Sequence, residues 1–181
     1  MVRSSRLSRS YRLAAVAALL AAVGVPTASV PAHAVGTEVV CEATETIAYQ
    51  PGLKLLPSPQ KVSGTRTYSN CDLASEFDIS SGSSSGSASQ SLSCADALQA
   101  GTASETITWN NGKTSTFTYD RTVSHVAGQT VVTNIGTITA GEFKGQGAKS
   151  VFAGPTADLH QCLGEGITER TGAGTLTILA L

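Results

Sequence analysis

The chain is poor in charge and in aromatic rings, with 14% Asp, Glu, Lys and Arg and 5% Phe, Trp and Tyr over 181 residues. Its charges are scattered, so there is no basic stripe of the kind that binds nucleic acid phosphates or an anionic membrane surface. No C-x-x-C or H-x-x-x-H spacing occurs, which argues against zinc. No apolar run reaches the roughly 20 residues that cross a bilayer, so no membrane anchor is expected. Helical periodicity is almost missing, and no serine sits in the G-x-S-x-G context of a nucleophile elbow. Nothing in the chain calls for a cofactor. A single tryptophan and four phenylalanines imply a thin core that needs other support.

What is present begins at the N-terminus. Arg3, Arg6, Arg9 and Arg12 form a basic start without an acidic residue, and Leu13 to Val25 is an apolar run. Val30-Pro31-Ala32-His33-Ala34 then offers a small-residue cleavage site. These are the three parts of a secretory signal peptide, so residues 1–34 are expected to be removed near Ala34 and the product to be secreted. Cleavage leaves residues 35–181 as one domain, with eight Lys and Arg against thirteen Asp and Glu, a net charge of −5. Export also makes Cys41, Cys71, Cys94 and Cys162 disulfide candidates. The favoured pairing is Cys41–Cys71 with Cys94–Cys162, and Cys71–Cys94 is the main competitor. Closing the Cys41–Cys71 loop is worth ~3–4 kcal/mol on the chain-entropy model.

Short alternating runs of Thr, Ser, Val and Ile separated by Gly, Pro or Asn predict antiparallel strands. They fall near 38–49, 61–70, 88–94, 104–110, 113–124, 129–139, 147–153 and 173–180, with a helical turn at 94–101 or 157–163. Pro51-Gly52 predicts a turn, and Pro57-Ser58-Pro59 an extended stretch unable to donate to a central ladder. The run Ser80 to Ser93 is nearly all Ser and Gly, and reads as a long loop plus a weak edge strand. Asn111-Gly112 marks a hairpin within Glu105–Asp120. A three-residue loop, Asn110-Asn111-Gly112, pairs Trp109 with Lys113 and puts Ile107, Trp109, Phe117 and Tyr119 on one face. A two-residue turn would split them, so the three-residue register is expected. The whole predicts an antiparallel β-sandwich, immunoglobulin-like in architecture, braced by two disulfides.

Candidate chemistry is sparse. Asp158 and His160 would share one face of a strand as a carboxylate–imidazole pair, the basis of a small hydrolase reading. His125 reads as a hairpin-end residue. Tyr49, Trp109 and Tyr119 could stack on sugars, although a sandwich would bury them. The segments Pro51–Pro59 and Ser80–Gln90 are exposed-loop candidates for a protease inhibitor braced by a disulfide.

Several stretches together resemble a group of small secreted proteins of high-GC Gram-positive bacteria that carry no assigned activity. These are Tyr49-Gln50-Pro51-Gly52-Leu53, Ser93-Cys94 after the Ser/Gly run and Trp109-Asn110-Asn111-Gly112-Lys113-Thr114-Ser115. The Gly141-Glu142-Phe143-x-Gly145 step and the Gly172-x-Gly174 to Ile178 ending complete the set. The resemblance implies secretion and a β-sandwich, and brings no catalytic residues. The expectation is a non-enzymatic extracellular protein that binds another extracellular protein or cell-wall glycan.

Overall fold

The computed structural model describes residues 39–72, 77–96 and 99–179. The expected leader, 1–34, lies outside the described residues. Among the described residues, eight antiparallel strands follow one another: β1 (Val39–Leu53), β2 (Ser58–Asp72), β3 (Gly82–Leu92), β4 (Gly101–Trp109), β5 (Thr114–Val126), β6 (Gln129–Gly141), β7 (Gly147–Pro155) and β8 (Ile167–Leu179). One short helix, α1 (Leu159–Leu163), precedes β8.

The sheet is a closed barrel, which corrects the expected immunoglobulin-like sandwich. Each strand pairs with its sequence neighbours, and β8 returns to pair with β1 from Val39–Ile178 to Ala48–Glu169. A sandwich needs edge strands and connections that cross between sheets, whereas here β1 is paired along both sides, by β2 and by β8. The alternation of inward and outward residues is the same in both architectures. The meeting of the first and last strands decides between them, and a strand pattern does not carry that information.

The β4–β5 hairpin has the register expected from the three-residue loop. The Trp109 amide donates to the Lys113 carbonyl at 2.9 Å, the Gly112 amide returns to the Trp109 carbonyl at 3.0 Å, and Thr108 faces Thr114. Gly112 takes φ +81°, the left-handed conformation that a side chain disfavours. Ile107, Trp109, Phe117 and Tyr119 all point into the barrel and are buried. The loop also acts as a clamp. Asn110 Oδ1 accepts from the amides of Ser80 and Ser81, and Asn111 Nδ2 donates to the Phe77 carbonyl.

That clamp closes one end of the barrel, where the β2–β3, β4–β5 and β6–β7 connections lie. Phe143 stands edge-on to Trp109 with centroids 5.9 Å apart, and Phe77 meets Phe143 edge-on at 5.0 Å. Trp109 Nε1 donates to Ser115 Oγ at 2.8 Å, which satisfies the one polar atom buried with the indole. Val39, Cys41, Tyr68, Phe117, Ile138, Leu176 and Ile178 fill the same cluster. A smaller cluster of Tyr49, Leu53, Ile167 and the Cys94–Cys162 bridge sits toward the opposite end.

The bridges formed are Cys41–Cys71 and Cys94–Cys162; the competing Cys71–Cys94 bond is not made. Two local expectations are overturned. The segment Pro51-Gly52 continues β1 rather than turning, with a cis Gln50–Pro51 bond, and Gln60 holds Gly52 through both its amide and its carbonyl. Pro59 is extended as expected, lying within β2 opposite Ser91 with no amide to donate. The Ser/Gly run is a full strand, β3, because β2 pairs with it from Ser58–Leu92 to Tyr68–Gly82.

Candidate functional site

The barrel wall is uneven at one seam. β3 is paired along its whole length with β2, but the ladder to β4 is confined to Gly82–Trp109 and Ser83–Thr108 among the described residues. Beyond Ser83 the two strands part. From Gly86 to Ser91 both faces of β3 are exposed, and Gly101 to Ser104 of β4 are exposed in the same way. A cleft of about 280 Å³ opens there, lined by inward residues (Glu45, Arg66, Gly86) and outward ones (Thr65, Ser85, Thr106) alike. It is therefore a slot through the wall.

Alternation places one charged residue from each of three strands on the floor of this slot. β1 runs Cys41, Ala43, Glu45, Ile47 along its inner face; β2 runs Val62, Gly64, Arg66, Tyr68; β4 runs Glu105, Ile107, Trp109. Arg66 binds Glu45 through Nε at 2.7 Å and Nη2 at 2.6 Å, and Glu105 through Nη1 at 2.8 Å. Arg66 Nη1 also donates to the Tyr119 hydroxyl at 3.1 Å. Its guanidinium lies 5.1 Å from the Phe152 ring centroid and 5.7 Å from that of Tyr119. Glu105 accepts further bonds from the Tyr68 hydroxyl at 2.9 Å and Ser84 Oγ at 2.7 Å.

Burial works against the Arg66 charge, but the Glu105 and Glu45 carboxylates outweigh it and hold the guanidinium firmly protonated. Burial pushes the Tyr68 phenol well above the ordinary tyrosine range, and Glu105 beside it adds to the shift. Tyr68 therefore stays a neutral donor to Glu105. The cluster is a desolvated ion-pair network whose members largely satisfy one another. Two groups keep hydrogen-bonding capacity toward the slot. Glu45 takes both Arg66 bonds on Oε2, leaving Oε1 as an acceptor, and the Tyr119 hydroxyl accepts from Arg66 with its own proton still to give.

The floor is reachable because the residues above it are small. Gly64 of β2 and Gly86 of β3 face each other across the ladder on the inner side, and a Cβ built on either meets no atom within 4 Å.

The residues singled out from the sequence lie elsewhere. Asp158 caps α1, its Oδ1 accepting from the His160 amide at 2.9 Å, so the pair is joined through the backbone and not through the imidazole; both residues are exposed. His125 sits at the β5–β6 hairpin end, Nδ1 lying 3.2 Å from Thr130 Oγ1. Tyr49, Trp109 and Tyr119 are all buried, as core residues and not as a sugar platform. Of the segment Ser80–Gln90, Gly82–Gln90 is strand and not loop. The segment Pro51–Pro59 does present exposed Leu55 and Leu56 beside the Cys94–Cys162 bridge, with the Cys94 amide holding the Lys54 carbonyl at 2.8 Å. Glu45, Arg66 and Glu105 went unnoticed in the sequence. The available signal was a charge at an inward position of an otherwise apolar alternation.

By fold the protein is an up-and-down antiparallel barrel, a class whose eight-stranded members have interiors either filled by side chains or large enough for one small ligand. No protein-family model, curated protein or solved structure matches the chain.

Proposed function

We propose that this is a secreted, non-enzymatic extracellular protein that binds a polar partner at the seam between β3 and β4. The observation that carries the reading is the slot through the wall, floored by the Glu45–Arg66–Glu105 network and rimmed by serines and threonines. The internal pairing of that network favours binding over catalysis. Glu105 and Arg66 spend their hydrogen-bonding capacity on neighbours, so neither is poised to move a proton, whereas Glu45 Oε1 and the Tyr119 hydroxyl are free to orient a ligand. Secretion is supported by the leader pattern and by two disulfides, which persist in oxidising compartments.

The test uses protein harvested from culture medium and a Gly86→Leu variant, in which the side chain projects into open space inside the slot. Both are immobilised and exposed to purified cell-wall glycan fragments and to the secreted proteins of the same culture. Material held by the wild type and released by the variant is the expected result. Equal retention by both, or retention by neither, overturns the reading.

A second reading, the protease inhibitor, is favoured by one observation: exposed Leu55 and Leu56 sit on a connection braced by Cys94 and Gln60. Inhibition of a secreted endoprotease with an apolar specificity pocket, abolished by Leu55→Arg with Leu56→Arg, would support it. No inhibition across a panel of such enzymes would remove it.

A further inference from the structure

We propose that the partner at the seam is an extended polypeptide segment that adds to the free edge of β3 as a further strand. The inference rests on the seam being the binding site and names what occupies it.

The argument begins with the backbone. In an antiparallel ladder, alternate residues direct their N–H and C=O groups to opposite sides of the strand. One side of β3 is taken up by β2 over its whole length, while the other side is paired to β4 at Gly82 and Ser83 alone among the described residues. Alternate residues from Ser84 to Leu92 therefore turn a row of main-chain donors and acceptors toward the slot. Their repeat is two residues of strand, about 6.8 Å. A hydroxyl-rich sugar suits the serines and threonines of the rim, but it cannot match a row of that spacing. Another main chain can.

The edge also lacks the features that keep edges unpaired. Proteins guard such strands with lysine, proline or inward charges. The strand Gly82–Leu92 reads GSSSGSASQSL, with no charge and no proline, and Gly101–Ser104 across the slot is GTAS. The nearest inward charge, Glu105 of β4, is neutralised by Arg66 and lies outside the open stretch Gly101–Ser104. With both faces of β3 exposed from Gly86 to Ser91, no described residue covers the position a new strand would take.

The slot also suits the two faces of an added strand. Side chains on its inner face would lie over the open Gly64–Gly86 position toward Glu45 Oε1 and the Tyr119 hydroxyl. Those on its outer face would meet a second cleft of about 440 Å³ formed by Thr65, Ser83, Ser85, Thr106 and Thr108. Both surroundings are polar and shallow, so the segment recognised carries small polar side chains such as Ser, Thr and Asn. Main-chain bonds would supply affinity, and the alternate side chains selectivity.

The probe is a synthetic peptide with the sequence of Gly82–Leu92, GSSSGSASQSL, whose side chains are almost all small or polar. Amide exchange of the full protein is followed residue by residue with and without it. At ten times its Kd, alternate amides of Ser84–Leu92 should slow by about tenfold. A peptide N-methylated at every second amide should give no slowing. Peptide binding without protection of those amides overturns strand addition and leaves the seam as the binding site. The same follows if the peptide fails to bind a protein whose seam retains another ligand in a Gly86-dependent way. If nothing is retained at the seam, both proposals fall. Protection that appears without peptide at high protein concentration, together with dimer in sedimentation, also overturns the proposal, assigning the edge to a second copy of the chain.

Discussion

Gly82 and Gly86 lie four residues apart on the same strand and the same face, yet their surroundings are opposite. A Cβ at Gly82 would stand 2.6 Å from Cε3 of Trp109 and 3.1 Å from Cγ2 of Ile107, while a Cβ at Gly86 would meet nothing within 4 Å. The first glycine exists because a ring fills its space, and the second borders an opening. The strand passes from a region where side chains dictate the backbone to one where, among the described residues, β2 alone pairs with it. The closed end is buried, aromatic and clamped by Asn110 and Asn111; the seam beyond it is polar and, among the described residues, unpaired on one side.

The contrast can be broken at several points. The largest effect is expected at the closed end: Trp109→Ala should cost about 3–5 kcal/mol in denaturant unfolding, since it empties the contact between Phe143, Tyr68 and Gly82. Unchanged stability would mean that the aromatic cluster does not hold that end. Arg66→Met should cost a comparable 3–5 kcal/mol, because it leaves Glu45 and Glu105 buried without a counter-charge. Adding Glu105→Gln to that variant should recover part of the loss, and no recovery would deny that like charge is the cause.

Smaller effects sharpen the comparison within β3. Gly82→Ala must displace the indole and should destabilise by about 1–3 kcal/mol. Gly86→Ala should stay within about 0.5 kcal/mol of wild type, as a substitution into open space does. Equal costs for the two in matched chemical denaturation would erase the distinction between the closed end and the seam.

How much of this was legible beforehand differs by region. The hairpin register could be derived because Asn-Gly sat between aromatic residues whose alternation tolerates one pairing only, and burial of Ile107 beside Phe117 settles it in the fold. The helical turn near 157–163 likewise appears as α1, started by Asp158. Barrel closure was hidden because inward alternation is common to barrels and sandwiches, and because the strands that meet, β1 and β8, lie at opposite ends of the domain. β3 was visible only in its second half, as a weak edge strand from 88, for a different reason. A Ser/Gly sequence carries no apolar alternation, and this one is extended because β2 templates it. The floor of the slot was the least visible part, since Glu45, Arg66 and Glu105 come from three strands and become neighbours only through the registers of β1 with β2, β2 with β3 and β3 with β4.

The most direct test of the account is residue-resolved amide exchange along β3 in the ligand-free protein. An open seam predicts slow exchange at the Gly82–Ser83 end and fast exchange at alternate amides from Ser84 to Leu92, the other half being protected by β2. Uniform protection along both β3 and β4 would show a continuous wall, and with it neither slot nor free edge.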